Sequence, residues 1–231
     1  MTPALALLWT VLISLFAVGG AYYARRYGRQ DALLALFVTL VIAANVIASK
    51  TVAFDLGFAT FFAPGGVLVF AATFLLTDIV NERFGRKETE RMILLGLFAQ
   101  AAFVAFVYLA VSAAPAPFFS GQAAFESVLG AVPRIALAGL AAFFVSEMLD
   151  AYLFAWFRDR TGGRYLWMRN AFSSLPAMLV DSAVFVTLAF YGVMPVLPLI
   201  IGLTAVKWLV GIVDIPFMYL SRAVLRSPLG K

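Results

Sequence analysis

The sequence predicts an all-α integral membrane protein, a bundle of about seven transmembrane helices, and three observations carry that reading. The chain is 64% hydrophobic and only 13% charged over 231 residues, with a mean hydropathy of +0.98; soluble domains run near 45–50% apolar and 25% charged. Its apolar runs follow one another with short polar breaks, each run approaching the roughly 20 residues that cross a hydrocarbon core of about 30 Å, and no room is left for an aqueous domain. Lysines and arginines are confined almost entirely to alternate breaks, which is how a multi-pass topology is written.

Seven spans are expected, at 4–24, 32–54, 59–81, 91–112, 132–157, 172–192 and 196–220. The first has small residues at 17–21 that could suggest a cleaved leader, but no basic residue precedes the apolar run and Arg25 and Arg26 follow it. It is read as a retained helix that enters with its N-terminus outside. Pro64-Gly65-Gly66 opens the third span and Pro195 and Pro198 the seventh, where a missing donor or a permissive φ does least harm. The first connection holds Arg25, Arg26 and Arg29, the third Arg83, Arg86, Lys87 and Arg91, and the fifth Arg158, Arg160, Arg164 and Arg169. The tail adds Arg222, Arg226 and Lys231, so these positions hold fourteen of the seventeen basic residues. The second, fourth and sixth connections have none, so the odd connections and the C-terminus are placed in the cytoplasm. The long fourth connection, 113–131, begins AAPAPFF, which resists helix, and continues QAAFESVLGAV, which suits a short interfacial one.

Three bases are not explained by topology. Arg134 and Lys50 lie near outer span ends, from which each could reach the headgroups. Lys207 lies about eleven residues into its span, near the midplane, and needs a partner. Asp181 sits about nine residues, roughly 14 Å, from the inner end of its span. A carboxylate there costs about 2.5–3.5 kcal/mol on insertion scales and must face something other than lipid. Glu147 and Asp150 share one helix face, as do Lys207 and Asp214 two turns apart. Asn45 and Ser49 are four apart with Lys50 beside them, and Asp78, Asn81 and Glu82 cluster at the inner end of the third span. Any one of these groups could belong to a structural ion pair. Interhelical polar contacts average only about 0.6 kcal/mol, so the set as a whole points to a water-filled cavity or solute path.

Composition also excludes chemistry. Cysteine and histidine are both absent, which removes disulfides, thiolates, imidazole metal sites and histidine relays; no metal and no cofactor is expected. The net charge of +5 belongs to the loops and implies no nucleic-acid partner. No GxxxxGK[ST] occurs, so the chain is not expected to hydrolyse ATP. An intramembrane aspartyl protease using Asp181 and Asp214 is disfavoured, because the second aspartate stands in GIVD (211–214) rather than GxGD.

The stretches ANVIASK (44–50), TDIVNERFGRKETERMI (77–93), SEMLDAYLFAWFR (146–158), RNAFSSLPAMLVDSAVF (169–185) and KWLVGIVDIPFMYL (207–220) resemble the queuosine precursor transporter family, also called the vitamin uptake transporter family. The resemblance implies a six-helix transport core at 31–225, similar to the substrate-binding subunits of vitamin importers. An additional N-terminal helix and basic loop would occupy 1–30 and a short cytoplasmic tail 226–231. It implies uptake of 7-cyano- or 7-aminomethyl-7-deazaguanine through a bacterial inner membrane, either by a secondary carrier or facilitator or by a binding subunit energised by separate ATPase chains; a homodimer is compatible with it. A non-transporting assembly factor is the blander alternative. Substrate-binding positions would be Asn45, Lys50, Glu147, Asp150, Asn170, Asp181, Lys207 and Trp208, with Asp78, Glu82, Arg169 and Asp214 in a coupling or structural polar network and Ser182 beside Asp181. Glu147 and Met178 stand where glutamines are usual in the family. A deazaguanine fits such groups: its N1–H and 2-amino edge suits a carboxylate, O6 suits lysine or asparagine, and its flat ring suits Phe143, Phe144, Phe185 or Trp208.

Overall fold

The computed structural model of the protein describes residues 1–55, 57, 59–160 and 166–226. In chain order these form α1 (Pro3–Tyr27), α2 (Asp31–Ile47), β1 (Thr51–Asp55), β2 (Thr60–Pro64), α3 (Val67–Phe84), α4 (Arg86–Ser112), α5 (Gln122–Leu129), α6 (Val132–Arg160), α7 (Leu166–Phe190) and α8 (Val196–Arg226). Among the described residues, four helical stretches are long and apolar enough to cross a membrane, and three further apolar ones are shorter: Asp31–Ile47, Val67–Thr77 and Leu175–Phe190.

Helix α1 starts where Thr2 accepts from the Leu5 N–H at 3.3 Å with Pro3 just inside, and it stops at Gly28, whose φ of 67° is a left-handed cap. Its buried stripe is mostly of small residues, Ser14, Ala17, Gly20, Ala21 and Ala24, with Thr10 and Ile13 nearer its start. Small residues let backbones approach, which is how helices associate where lipid offers no hydrophobic drive. A Cβ on Gly20 would stand 2.6 Å from Leu33 Cδ2 of α2. The large residues of α1, among them Leu8, Leu12 and Phe16, are exposed, as a lipid-facing surface requires.

The expectation of an all-helical chain is corrected between 48 and 66. The spans read at 32–54 and 59–81 are cut short, α2 ending at Ile47 and α3 starting at Val67, and the residues between form an antiparallel hairpin with Thr51 opposite Pro64 and Asp55 opposite Thr60. The composition suits it: β-branched and aromatic Val52, Phe54, Phe61 and Phe62 favour a pleated surface, and Gly57 takes a φ of 84° in the turn. Apolar runs of this length do not distinguish strand from buried helix.

The hairpin is seated in the bundle. Phe54 and Ala63 are buried in one cluster with Ile135, Val186, Leu203 and Val210. A Cβ on Gly202 of α8 would lie 1.9 Å from the Phe62 carbonyl oxygen, so only glycine permits that approach. The outer edge of β1 is covered by the chain's own start: the Met1 amino group donates to the Ala53 carbonyl, and the Met1 carbonyl accepts from the Asp55 N–H at 3.1 Å. Edge groups of the exposed strand are thereby paired.

Helices α6 and α7 pack side by side, and Arg134 of α6 donates to the Leu188 and Tyr191 carbonyls, both at 2.8 Å. That satisfies orphan acceptors at the end of α7. The short α5 buries none of its residues. Two cores result. One joins α1, α2, α3 and α4 through Ala17, Leu33, Phe37, Leu76 and Met92; the other joins the hairpin to α6, α7 and α8.

Candidate functional site

A cavity opens where the two cores meet. About 480 Å3 of non-atom space, its mouth included, is enclosed by the last turn of α2, the end of the hairpin, the first turn of α3 and the middles of α6, α7 and α8. Small residues make the room: Ala44, Ala48, Gly66, Gly139 and Ala142 line it, with Phe70 and Phe185 as its aromatic walls. Gly66 is required there, because a Cβ would lie 2.1 Å from the Ala44 carbonyl oxygen.

Three polar side chains line this apolar space, Asn45, Asp181 and Lys207. Lys207 Nζ of α8 donates to Asp181 Oδ2 of α7. The Ser146 hydroxyl of α6 is 3.3 Å from Asp181 Oδ1 and 3.1 Å from its own Phe143 carbonyl, so one proton serves two acceptors. The pair is largely but not fully covered, with side-chain exposures of 12% for Lys207 and 15% for Asp181. An ammonium has three donors and a carboxylate about four acceptor sites; among the described residues the pair uses one donor and two acceptors. Asn45 donates from Nδ2 to the Val41 carbonyl at 2.8 Å and to Gln100 Oε1 of α4 at 3.1 Å. The described lining residues hold one acid and one base.

A family profile described as "Putative vitamin uptake transporter" matches residues 64–221. A Bacillus subtilis (strain 168) protein named "Probable queuosine precursor transporter" is 31% identical over 165 residues, 69% of this chain and 72% of that protein. The chain belongs to the vitamin uptake transporter family. No solved structure matches it. As a member of that family with several apolar helices, it is a multi-pass membrane transporter.

In this family member the profile covers every lining residue except Ala44, Asn45 and Ala48. Of the positions expected from sequence, Asn45, Asp181 and Lys207 come together at the cavity. The partner that Lys207 requires is Asp181. Lys50 is exposed beyond the end of α2 and is not a lining residue; its carbonyl accepts from the Gly65 N–H at 2.7 Å. Trp208, 41% exposed, and Phe144, 65% exposed, also lie outside the lining. Of the aromatics considered for stacking, Phe185 lines the cavity. Ser182 is fully buried and donates to the Met178 carbonyl at 2.8 Å, a helix-internal role. The side chains of Asp78, Glu82, Glu147, Asp150, Arg169, Asn170 and Asp214 lie outside the described residues.

Sequence reasoning passed over Phe70, Ser146 and Gln100. Gln100 carried a signal: it is the one strongly polar side chain in the apolar run LLGLFAQAAFVAF (94–106). A search directed at charges does not see an uncharged amide.

Proposed function

We propose that this transporter takes up 7-deazaguanine precursors of queuosine into the cytoplasm, binding them at the Asp181–Lys207 pair. The observation that carries the reading is this pair at the wall of a cavity built by helices from both cores. The 31% identity to a protein named as a queuosine precursor transporter supports the solute class. In the empty site Lys207 and Asp181 neutralise each other, which avoids leaving either charge unpaired at membrane depth. An entering deazaguanine offers N1–H and its 2-amino group to Asp181 and O6 to Lys207, replacing like with like, while Phe185 or Phe70 takes the ring face. The neutral 7-cyano compound matches a neutralised pair and is the first ligand to assay.

Seven spans with the N-terminus outside and the C-terminus inside are the topology that the distribution of basic residues supports, with 31–225 as the transport core. The chain works without an ATPase in this reading, as a carrier or facilitator, and has no enzymatic activity. An aspartyl-protease role is opposed by the engagement of Asp181 with a lysine, which withholds it from the proton-sharing pair such chemistry needs.

The test is uptake of labelled 7-cyano-7-deazaguanine into proteoliposomes containing only the purified chain, with and without an inward proton gradient. Asp181→Asn, which exchanges an acceptor for a donor, should weaken binding by about 1.5–3 kcal/mol, the value of a charge-assisted hydrogen bond. Unchanged affinity in folded D181N protein would remove Asp181 from the site, and uptake that requires added ATPase chains would make the chain a binding subunit.

A further inference from the structure

Asn45 is held by two contacts that fix which end of its amide is free. Nδ2 faces the Val41 carbonyl at 2.8 Å, and a carbonyl cannot donate, so the nitrogen must be the atom on that side. The same nitrogen reaches Gln100 Oε1 at 3.1 Å, which in turn fixes the Gln100 amide. Both protons of Nδ2 are then used within the protein. Among the described residues no donor reaches Asn45 Oδ1, and that oxygen is not one of the buried polar atoms left without a partner, whereas Gln100 Nε2 is. Asn45 therefore presents an accessible acceptor at the cavity that it lines.

We propose that Gln100 is a positioning residue that locks Asn45 with its carbonyl oxygen toward the solute, and that this oxygen accepts the N9–H of the free deazaguanine base. The assignment rests on the function proposed above: with the N1, 2-amino and O6 edge at Asp181 and Lys207, the ring donor left over is N9–H. That proton exists in the free base and is absent from any nucleoside or other 9-substituted form. The site would therefore select the base over the nucleoside by polarity, and Gln100, which touches no solute, would set that selectivity through Asn45. If Gln100 were lost, one Nδ2 proton would lose its partner and the Val41 carbonyl alone would oppose rotation of the Asn45 amide.

The experiment measures equilibrium binding to the purified full chain of 7-cyano-7-deazaguanine, its 9-methyl derivative and its 2-deamino derivative. The parent should prefer the base over the 9-methyl compound by tenfold or more. Gln100→Met should bring that ratio down severalfold with little change in melting temperature, and Gln100→Glu, which retains an acceptor oxygen when neutral, should restore it. The steric cost of the methyl group is common to all variants, so the change in ratio reports the hydrogen bond. If Gln100→Met does not fold, Asn45→Ala makes the same test by removing the acceptor itself. A 9-methyl ratio that does not respond to Gln100 or Asn45 overturns the inference while base binding, and the proposed function, stand. Sensitivity of the 2-deamino ratio instead overturns the N9–H assignment. Failure of the parent to bind the base at all overturns the proposed function and this inference together.

Discussion

Removing the Lys207 ammonium isolates the Asp181 carboxylate, and the structure sets the size of the effect. In Lys207→Met the stem's packing is largely kept and the charge is lost. Asp181 then retains only the Ser146 hydroxyl, 3.3 Å away and shared with the Phe143 carbonyl. Breaking a buried pair from one side costs about 3–5 kcal/mol because the remaining charge is uncompensated. The Asp181 side chain is 15% exposed and lies at a cavity that admits water, so the lower end applies, about 3 kcal/mol. For a chain of this size each kcal/mol moves the melting temperature by about 2–4 °C, so K207M should melt about 6–12 °C below the parent. Thermal unfolding of the detergent-solubilised protein measures this. The double variant K207M/D181N leaves no unpaired charge and should recover much of the loss, with a coupling energy of about 2 kcal/mol. Parent-like melting of K207M, or single-variant losses that simply add in the double variant, would refute a paired Asp181–Lys207.

Three further outcomes follow from particular contacts. Gly139 lines the cavity with Phe185 Cε2 only 3.8 Å from where its Cβ would be; Gly139→Leu should fill the site and abolish deazapurine uptake in reconstituted vesicles while the protein still folds and inserts. Gly202→Ala would place a Cβ 1.9 Å from the Phe62 carbonyl oxygen, a backbone atom that cannot step aside. It should cost several kcal/mol, in the range of about 1–3 or more for overpacking, and release the hairpin, read as faster hydrogen exchange at residues 51–64. If transport is driven by protons through Glu147 and Asp150, which lie one turn apart in the sequence, Glu147→Gln should retain substrate binding and lose most of the acceleration by an inward proton gradient. A gradient response equal to the parent's would move the coupling group elsewhere.

The site was legible in the sequence to the extent that transfer energies mark it. Asp181 and Lys207 stand out because a charge at mid-depth has a cost that lipid cannot meet, and Asn45 because it shares a helix face with Ser49. Their spacing along the chain did not say which acid answers Lys207. Glu147, Asp150 and Asp181 all lay about half-way along other spans, and Asp214 shared a face with Lys207 on its own helix. Trp208 and Lys50 show the converse: the first is next to Lys207 in sequence and the second two residues past Ala48, and neither lines the cavity.

What the sequence determined by itself is the solvent and the order of the long apolar helices. Mean hydropathy, run length and the placement of arginines are additive properties of single residues, and each is counted along one dimension. Tertiary structure decided the rest. Whether residues 48–66 continue two helices or fold back as a hairpin is undetermined locally, since helix and closed pairing both satisfy the backbone. The choice falls to the hairpin because Gly202 admits the Phe62 carbonyl and the chain's own first residue covers the β1 edge. Likewise the meeting of Asp181 with Lys207, and of Asn45 with Gln100, depends on how far each helix is rotated about its axis. That rotation is set by close contacts of small residues such as Gly20 on Leu33 and Gly66 on Ala44, pairwise facts that no single-residue property contains.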